Sequence, residues 1–154
     1  MANIKFYTCL LTLIIALMLQ LNSRDVFGWS PEFVLGTMIV FAFYLEFIEL
    51  AALTSVSALA LNWQPSLNLE LLLIAILPMI IFGVKKFLPW RNAINNFLAI
   101  LSALLIFYGA TNYAALSGYP FLFSKIVFGT LIFGGLLFQT FGYFYKPVSK
   151  MADG

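Results

Sequence analysis

Histidine is absent from the 154 residues, cysteine occurs once, and only 9% of positions are Asp, Glu, Lys or Arg. The first absence removes the side chain that most often shuttles protons near neutral pH and ligates metals. The single Cys9, set in an apolar run, excludes an intrachain disulfide and a thiolate metal site. With no basic residue beside it in sequence, it reads as a small hydrophobe rather than a reactive thiol. The scarcity of charge excludes more. Soluble domains carry about 25% charged residues, so this chain lacks the polar surface that a water-soluble fold requires. Its eight basic and six acidic residues leave a net charge of +2, with the basic ones occurring singly or in small groups. That pattern is not a nucleic-acid footprint. No phosphate-binding Gly-rich loop, nucleophile elbow, HExxH or CxxC motif occurs. The expectation is therefore a protein with no catalytic residues, no metal, no cofactor and no nucleic-acid partner.

What is present is apolar. Hydrophobic residues make up 63% of the chain and mean hydropathy is +1.01, so membrane lipid is the expected solvent and first partner. One domain fits this length. Backbone polar groups cannot stay unpaired in hydrocarbon, and the alternation of a β-barrel is missing. The predicted fold class is thus all-α, a polytopic membrane helix bundle of about six short segments: 5–21, 32–46, 49–62, 69–84, 92–116 and 125–145. The breaks between them are Asn22-Ser23-Arg24-Asp25, a turn near 46–50, Trp63 to Asn68, Lys85 to Arg91, and Ser117 to Pro120. Lys5 followed by the apolar stretch Phe6–Leu19 has the look of a secretory leader. No small-residue cleavage site follows it, so it reads as a retained first helix.

The stretch 32–62 decides the count. Opened by Ser30 as N-cap and Pro31 at the first helical position, it would form one helix ~46 Å long, against a hydrocarbon core of ~30 Å. It would also carry Glu46 and Glu49 near the bilayer centre, at a cost of about 2.5–3.5 kcal/mol for a centrally placed carboxylate of this kind. A break near 46–50 brings both to an interface and makes six spans. Lys5, Lys85, Lys86, Arg91, Lys146 and Lys150 then share one side, leaving only Arg24 and Lys125 opposite. Cytoplasmic loops collect Lys and Arg, which places both termini in the cytoplasm of a multi-pass cell-membrane protein. Trp29, Trp63 and Trp90 fall in the connections, where indoles anchor at headgroup depth; Tyr143 and Tyr145 suit the same role. Pro78 predicts a kink in the fourth segment.

Glu46 and Glu49 are the first functional candidates, lying on one helical face at i, i+3 with Tyr44 nearby. Three roles stay open for them: a helix break reaching water, a helix-packing or partner contact, and ion or proton passage. Asn95 and Asn96, with Asn92, suit capping of the fifth helix or interhelical hydrogen bonding. Gly129, Gly134 and Gly135 offer close backbone approach on the last helix, and Ala51 and Ser55 a smooth face on the third.

Six short spans, both ends inside and a carboxylate in the third segment resemble MreD, the small membrane protein of the bacterial rod-shape system. The likeness is most specific from Tyr44 to Tyr108: Leu45-Glu46-Phe47-Ile48-Glu49-Leu50 through Thr54-Ser55, a Pro-containing turn, an apolar span, Lys85-Lys86, Arg91, and a further span ending Phe107-Tyr108. Glu49 is the positional match to an acidic residue of that family, which there follows Gly-rich sequence that this chain lacks. The resemblance implies a non-enzymatic scaffold of the bacterial inner membrane, working beside an MreC-like protein and the cell-wall synthesis proteins in cell-wall elongation. MreD is in turn similar to the vitamin-binding S components of ECF transporters, which implies a competing function in binding a small vitamin-like substrate. An accessory subunit of a larger membrane complex is a third reading.

Overall fold

The structure is a computed structural model describing residues 2–27, 29–61, 68–85, 93–113 and 118–145. The described residues form six helices: α1 (Ala2–Phe27), α2 (Phe33–Tyr44), α3 (Phe47–Leu61), α4 (Leu69–Val84), α5 (Ala93–Thr111) and α6 (Pro120–Phe144). No strand occurs among the described residues. Trp63, Lys86, Trp90, Arg91, Asn92, Lys146 and Lys150, and with them the Trp63 and Trp90 anchors, lie outside the described residues.

The architecture is a broken ring around a core helix. Every residue from Val34 to Leu45 is buried, and α2 packs on each of the other five helices. Those five form the ring in the order α1, α3, α4, α5, α6. Among the described residues α1 and α6 do not approach each other at backbone level, so the ring is open there. Outward faces are apolar: Ile4, Tyr7, Leu11, Ile14, Ile15 and Met18 form one exposed stripe along α1, and Phe121, Phe128, Ile132 and Leu136 are exposed on α6. A soluble protein could not leave such faces bare.

Pair contacts fix the helix directions. The late residue Gln20 of α1 meets Val34 at the start of α2, and Tyr108 late in α5 meets Glu32. Lys85 at the end of α4 meets Ala42 near the end of α2, and Phe47 at the start of α3 stacks on Phe82 late in α4. Tyr145, closing α6, meets Thr8 early in α1. Successive helices therefore alternate in direction, and α1 starts at the same end of the bundle at which α6 finishes. One end holds Lys5, Glu46, Glu49 and Lys85; the other holds Glu32.

Length separates the helices into two classes. Three are long and apolar enough to cross a membrane: α5, α6 and the Ile4–Ser23 stretch of α1. The other three are apolar but shorter. With 12 residues α2 is about 18 Å long, well short of the ~30 Å hydrocarbon core. Its neighbours rather than lipid surround it, so it need not match the bilayer, and irregular backbone at membrane depth is tolerated where protein buries it.

Several boundaries differ from those read in the sequence. The polar run Asn22–Asp25 does not end α1, which continues to Phe27. The run contains neither Pro nor Gly, and the Asn22 and Ser23 side chains bond back to the Met18 and Gln20 carbonyls of their own helix. Glu32, rather than Ser30, is the N-cap of α2, and Pro31 precedes the helix. The break comes at Leu45-Glu46, so the second segment ends earlier and the third starts earlier than expected. α5 ends at Thr111 instead of 116. The last helix begins five residues before Lys125, because Pro120 occupies its first turn, where a missing N–H costs nothing. α4 matches 69–84 and runs on through the buried Pro78.

α2 and α6 run parallel and mesh through a four-residue repeat on each. Gly36, Val40 and Tyr44 of α2 face Thr130, Gly134, Phe138 and Gly142 of α6. A Cβ on Gly36 would lie 3.0 Å from the Thr130 methyl, and one on Gly142 would lie 3.1 Å from the Tyr44 hydroxyl. A Cβ on Gly134 would collide with the Ile100 side chain of α5. Small residues thus let three helices close together. Aromatic pairs fill the rest of this seam, with Phe33 on Phe133, Phe41 on Phe141 and Phe43 on Phe138 at centroid distances of 4.9, 5.5 and 5.7 Å.

Candidate functional site

A helix buried at both ends poses a problem, since its first four N–H and last four C=O groups have no partner within it. In an apolar surround each orphan costs several kcal/mol. Side chains from the ring supply partners for α2 at both ends.

At the start of α2, Gln20 of α1 serves two groups. Its Oε1 accepts the Val34 N–H at 2.8 Å and its Nε2 donates to a Glu32 carboxylate oxygen at 3.0 Å. The other carboxylate oxygen accepts the Tyr108 hydroxyl of α5 at 2.8 Å. The Glu32 N–H donates to Thr130 Oγ1 of α6 at 3.0 Å, and Thr130 itself donates to the Ile126 carbonyl. The Ser23 and Ser30 hydroxyls are hydrogen-bonded at 2.8 Å beside this group. Trp29 lies over α6, where a Cβ on Gly129 would meet its ring at 3.0 Å. The half-buried Glu32 carboxylate therefore joins three helices, α1, α2 and α5, and the Glu32 backbone N–H reaches a fourth, α6.

At the other end, Lys85 Nζ of α4 donates to the Ala42 carbonyl at 2.6 Å and sits 3.8 Å from the Phe82 ring centroid. An ammonium at the C-terminal carbonyls of a helix is favoured by hydrogen bonding and by the helix dipole. Tyr44 is fully buried, and its hydroxyl donates to the Phe138 carbonyl at 2.9 Å. The chain then leaves α2 through buried Leu45 and enters α3 at Glu46, which is exposed. Glu49 Oε2 accepts the Glu46 N–H at 3.2 Å, the return arm of a capping box, three residues into α3.

The residues singled out from the sequence are placed as follows. Glu46 and Glu49 come together at the α2–α3 break, one in the open and one capping α3, and Tyr44 adjoins them as a buried packing residue. Asn95 and Asn96 are not caps, because α5 starts at Ala93 and they occupy its third and fourth positions. Asn96 is 2% exposed, and its Oδ1 has no hydrogen-bond partner among the described residues. Gly129 and Gly134 lie at close approaches. Gly135 does not: a Cβ there meets nothing within 4 Å, since this position faces away from the core. Ser55 is also excluded from packing, being exposed with its hydroxyl bonded to the Ala51 carbonyl, while Ala51 is half-buried. The buried face of α3 is instead Leu50, Leu53, Thr54 and Ser57, rotated from the small-residue line.

Sequence reasoning did not single out Gln20, Glu32, Tyr108 or Thr130. Gln20 stood in an apolar helix with no local partner, and Glu32 read as part of a helix start. The signal was available in a general form: an uncharged polar residue in a membrane helix needs an interior partner. Among the described residues no three His, Cys, Asp or Glu side chains gather as a metal site. Comparison with family models, curated proteins and solved structures gives no match to this chain.

Proposed function

We propose that this protein is a non-enzymatic membrane scaffold that crosses the bilayer six times with both termini in the cytoplasm. The observation that carries the reading is the use of the interior. Its centre is filled by α2 rather than left as a chamber, and Gln20, Glu32, Thr130 and Lys85 are engaged in holding that helix. The alternating helices give six crossings if α2, α3 and α4 traverse the bilayer inside the ring with α1, α5 and α6. The sequence adds Lys86 and Arg91 after α4, and Lys146 and Lys150 after α6, to the end that already holds Lys5 and Lys85, as the excess of basic residues in cytoplasmic loops requires.

The architecture and the Leu45–Leu50 segment support an MreD-like place in a bacterial elongation complex, beside an MreC-like coiled-coil protein. Glu46, exposed at the cytoplasmic end, and the outward apolar faces are the surfaces such partners would meet. Ion passage is disfavoured, since Glu49 is committed to the start of α3. The test is depletion in the native cell together with affinity purification from its membranes. The scaffold reading expects loss of rod shape and co-purification of the coiled-coil partner; unchanged shape without the protein would refute it. The Glu32 cluster, at the end facing away from the cytoplasm, favours the S-component reading as the alternative. Tight binding of a vitamin-sized ligand, abolished by Glu32→Ala, would select it.

A further inference from the structure

Among the described residues the ring is open between α1 and α6, and the opening is a groove. Between α1 and α6 lies a cavity of about 310 Å³ lined by Thr8 and Thr12 on one side and by Leu137, Thr140, Phe141, Phe144 and Tyr145 on the other. That volume is at the lower bound of ligand pockets, which span roughly 300–1,000 Å³. Tyr145 closes it at the Lys85 end by donating to Thr8 Oγ1 at 3.0 Å. We infer that this groove binds one anionic phospholipid, an acyl chain lying between α1 and α6 and the phosphate held at Lys5. The inference rests on the membrane reading above but not on the scaffold role.

The chemistry of the walls favours a lipid chain over a partner helix. Membrane helices associate through small residues that let backbones touch, or through hydrogen bonds between them. This groove offers three aromatic rings and a leucine where a helix would need glycine or alanine. Its threonines have no hydrogen to give: Thr8 donates to the Ile4 carbonyl, Thr12 to the Thr8 carbonyl and Thr140 to the Leu136 carbonyl. With those hydrogens engaged in their own helices, the walls offer a flexible apolar chain no competing donor.

The charge favours an anionic headgroup. Lys5, Thr8 and Thr12 stand at i, i+3 and i+7, one stripe of α1, so the ammonium lies one turn beyond the groove on its own face. Lys5 is half-buried, and the nearby carboxylate of Glu49 is turned to the α3 start. A basic side chain between helices at the cytoplasmic face is the pattern that holds anionic headgroups.

The experiment is native mass spectrometry of the full chain released from nanodiscs containing equal phosphatidylglycerol and phosphatidylcholine. Failure of the protein to enter nanodiscs would refute the membrane reading itself. Given insertion, the wild type is expected to retain one phosphatidylglycerol about fivefold over phosphatidylcholine, equivalent to the ~1 kcal/mol of one basic residue at an anionic surface. Lys5→Gln should remove that preference, Thr12→Phe should remove the bound lipid by filling the groove, and Lys125→Gln at the opposite end should change neither. Equal retention of both lipids, no retained lipid, a preference that survives Lys5→Gln, or a dimer in place of the lipid-bound monomer would each overturn the proposal.

Discussion

Replacing Gln20 by leucine probes the capping of the core helix most sharply. The side chain keeps its size and gains apolar character, which a lipid-facing position would welcome. In this structure it removes the acceptor of the Val34 N–H and a donor to Glu32. A buried N–H left without a partner costs about 1–3 kcal/mol. The bond to the half-buried carboxylate adds less, because double-mutant cycles on hydrogen bonds in a membrane protein average ~0.6 kcal/mol. The sum is a loss of about 1.5–3.5 kcal/mol, or roughly 3–14 °C in midpoint at 2–4 °C per kcal/mol for a chain of this size. Cys9 supplies the assay, being the only thiol and fully buried. A thiol-reactive dye reports its exposure as detergent-solubilised protein is heated. The control is Gln139→Leu, the same change at an exposed position of α6, expected to leave the midpoint within about 1 °C. Equal midpoints for Gln20→Leu, Gln139→Leu and wild type would refute the capping argument.

Three further outcomes use the same dye. Gly134→Val should lower the midpoint by the 1–3 kcal/mol typical of overpacking, since its Cβ collides with Ile100, whereas Gly135→Val should not, the space there being open; equal losses would mean the two glycines share one environment. Asn96→Leu should raise the midpoint, because it removes a buried acceptor with no partner among the described residues, worth about 1–3 kcal/mol; a fall would reveal a bond to this side chain. Glu49→Ala should cost about 1 kcal/mol through loss of the α3 cap, while Glu46→Ala, in the open, should cost little; the reverse order would contradict the capping box.

Composition alone made the membrane class and the all-helical fold legible, because apolar runs with so few charges have no other solution in lipid. The α2–α3 break was legible too, since Glu46 and Glu49 had to reach an interface. Local signals failed where the deciding partner is distant in sequence. Asn22–Asp25 resembles a helix end, but Asn22 and Ser23 bond back to their own helix and α1 runs on. Asn96 resembles a cap, but its depth in α5 is set by packing on α2, α4 and α6. Gly134 and Gly135 are adjacent and chemically identical; which one faces Ile100 depends on the rotation of α6. The Glu32 cluster was the least legible, because Gln20, Glu32, Tyr108 and Thr130 come from four separate stretches and meet only after the ring has closed around α2. No pattern of spacing within one helix announces such a meeting.

The sidedness of the chain decides whether it crosses the membrane six times. Single cysteines placed on a Cys9→Ser background at residue 3, at Asp25, at Tyr119 and after Tyr145 can be labelled in intact cells and in inverted vesicles with a membrane-impermeant maleimide. Six alternating crossings predict that residue 3 and the tail react only in inverted vesicles, and Asp25 and Tyr119 only in intact cells. Labelling of the two chain ends from opposite faces would contradict the account.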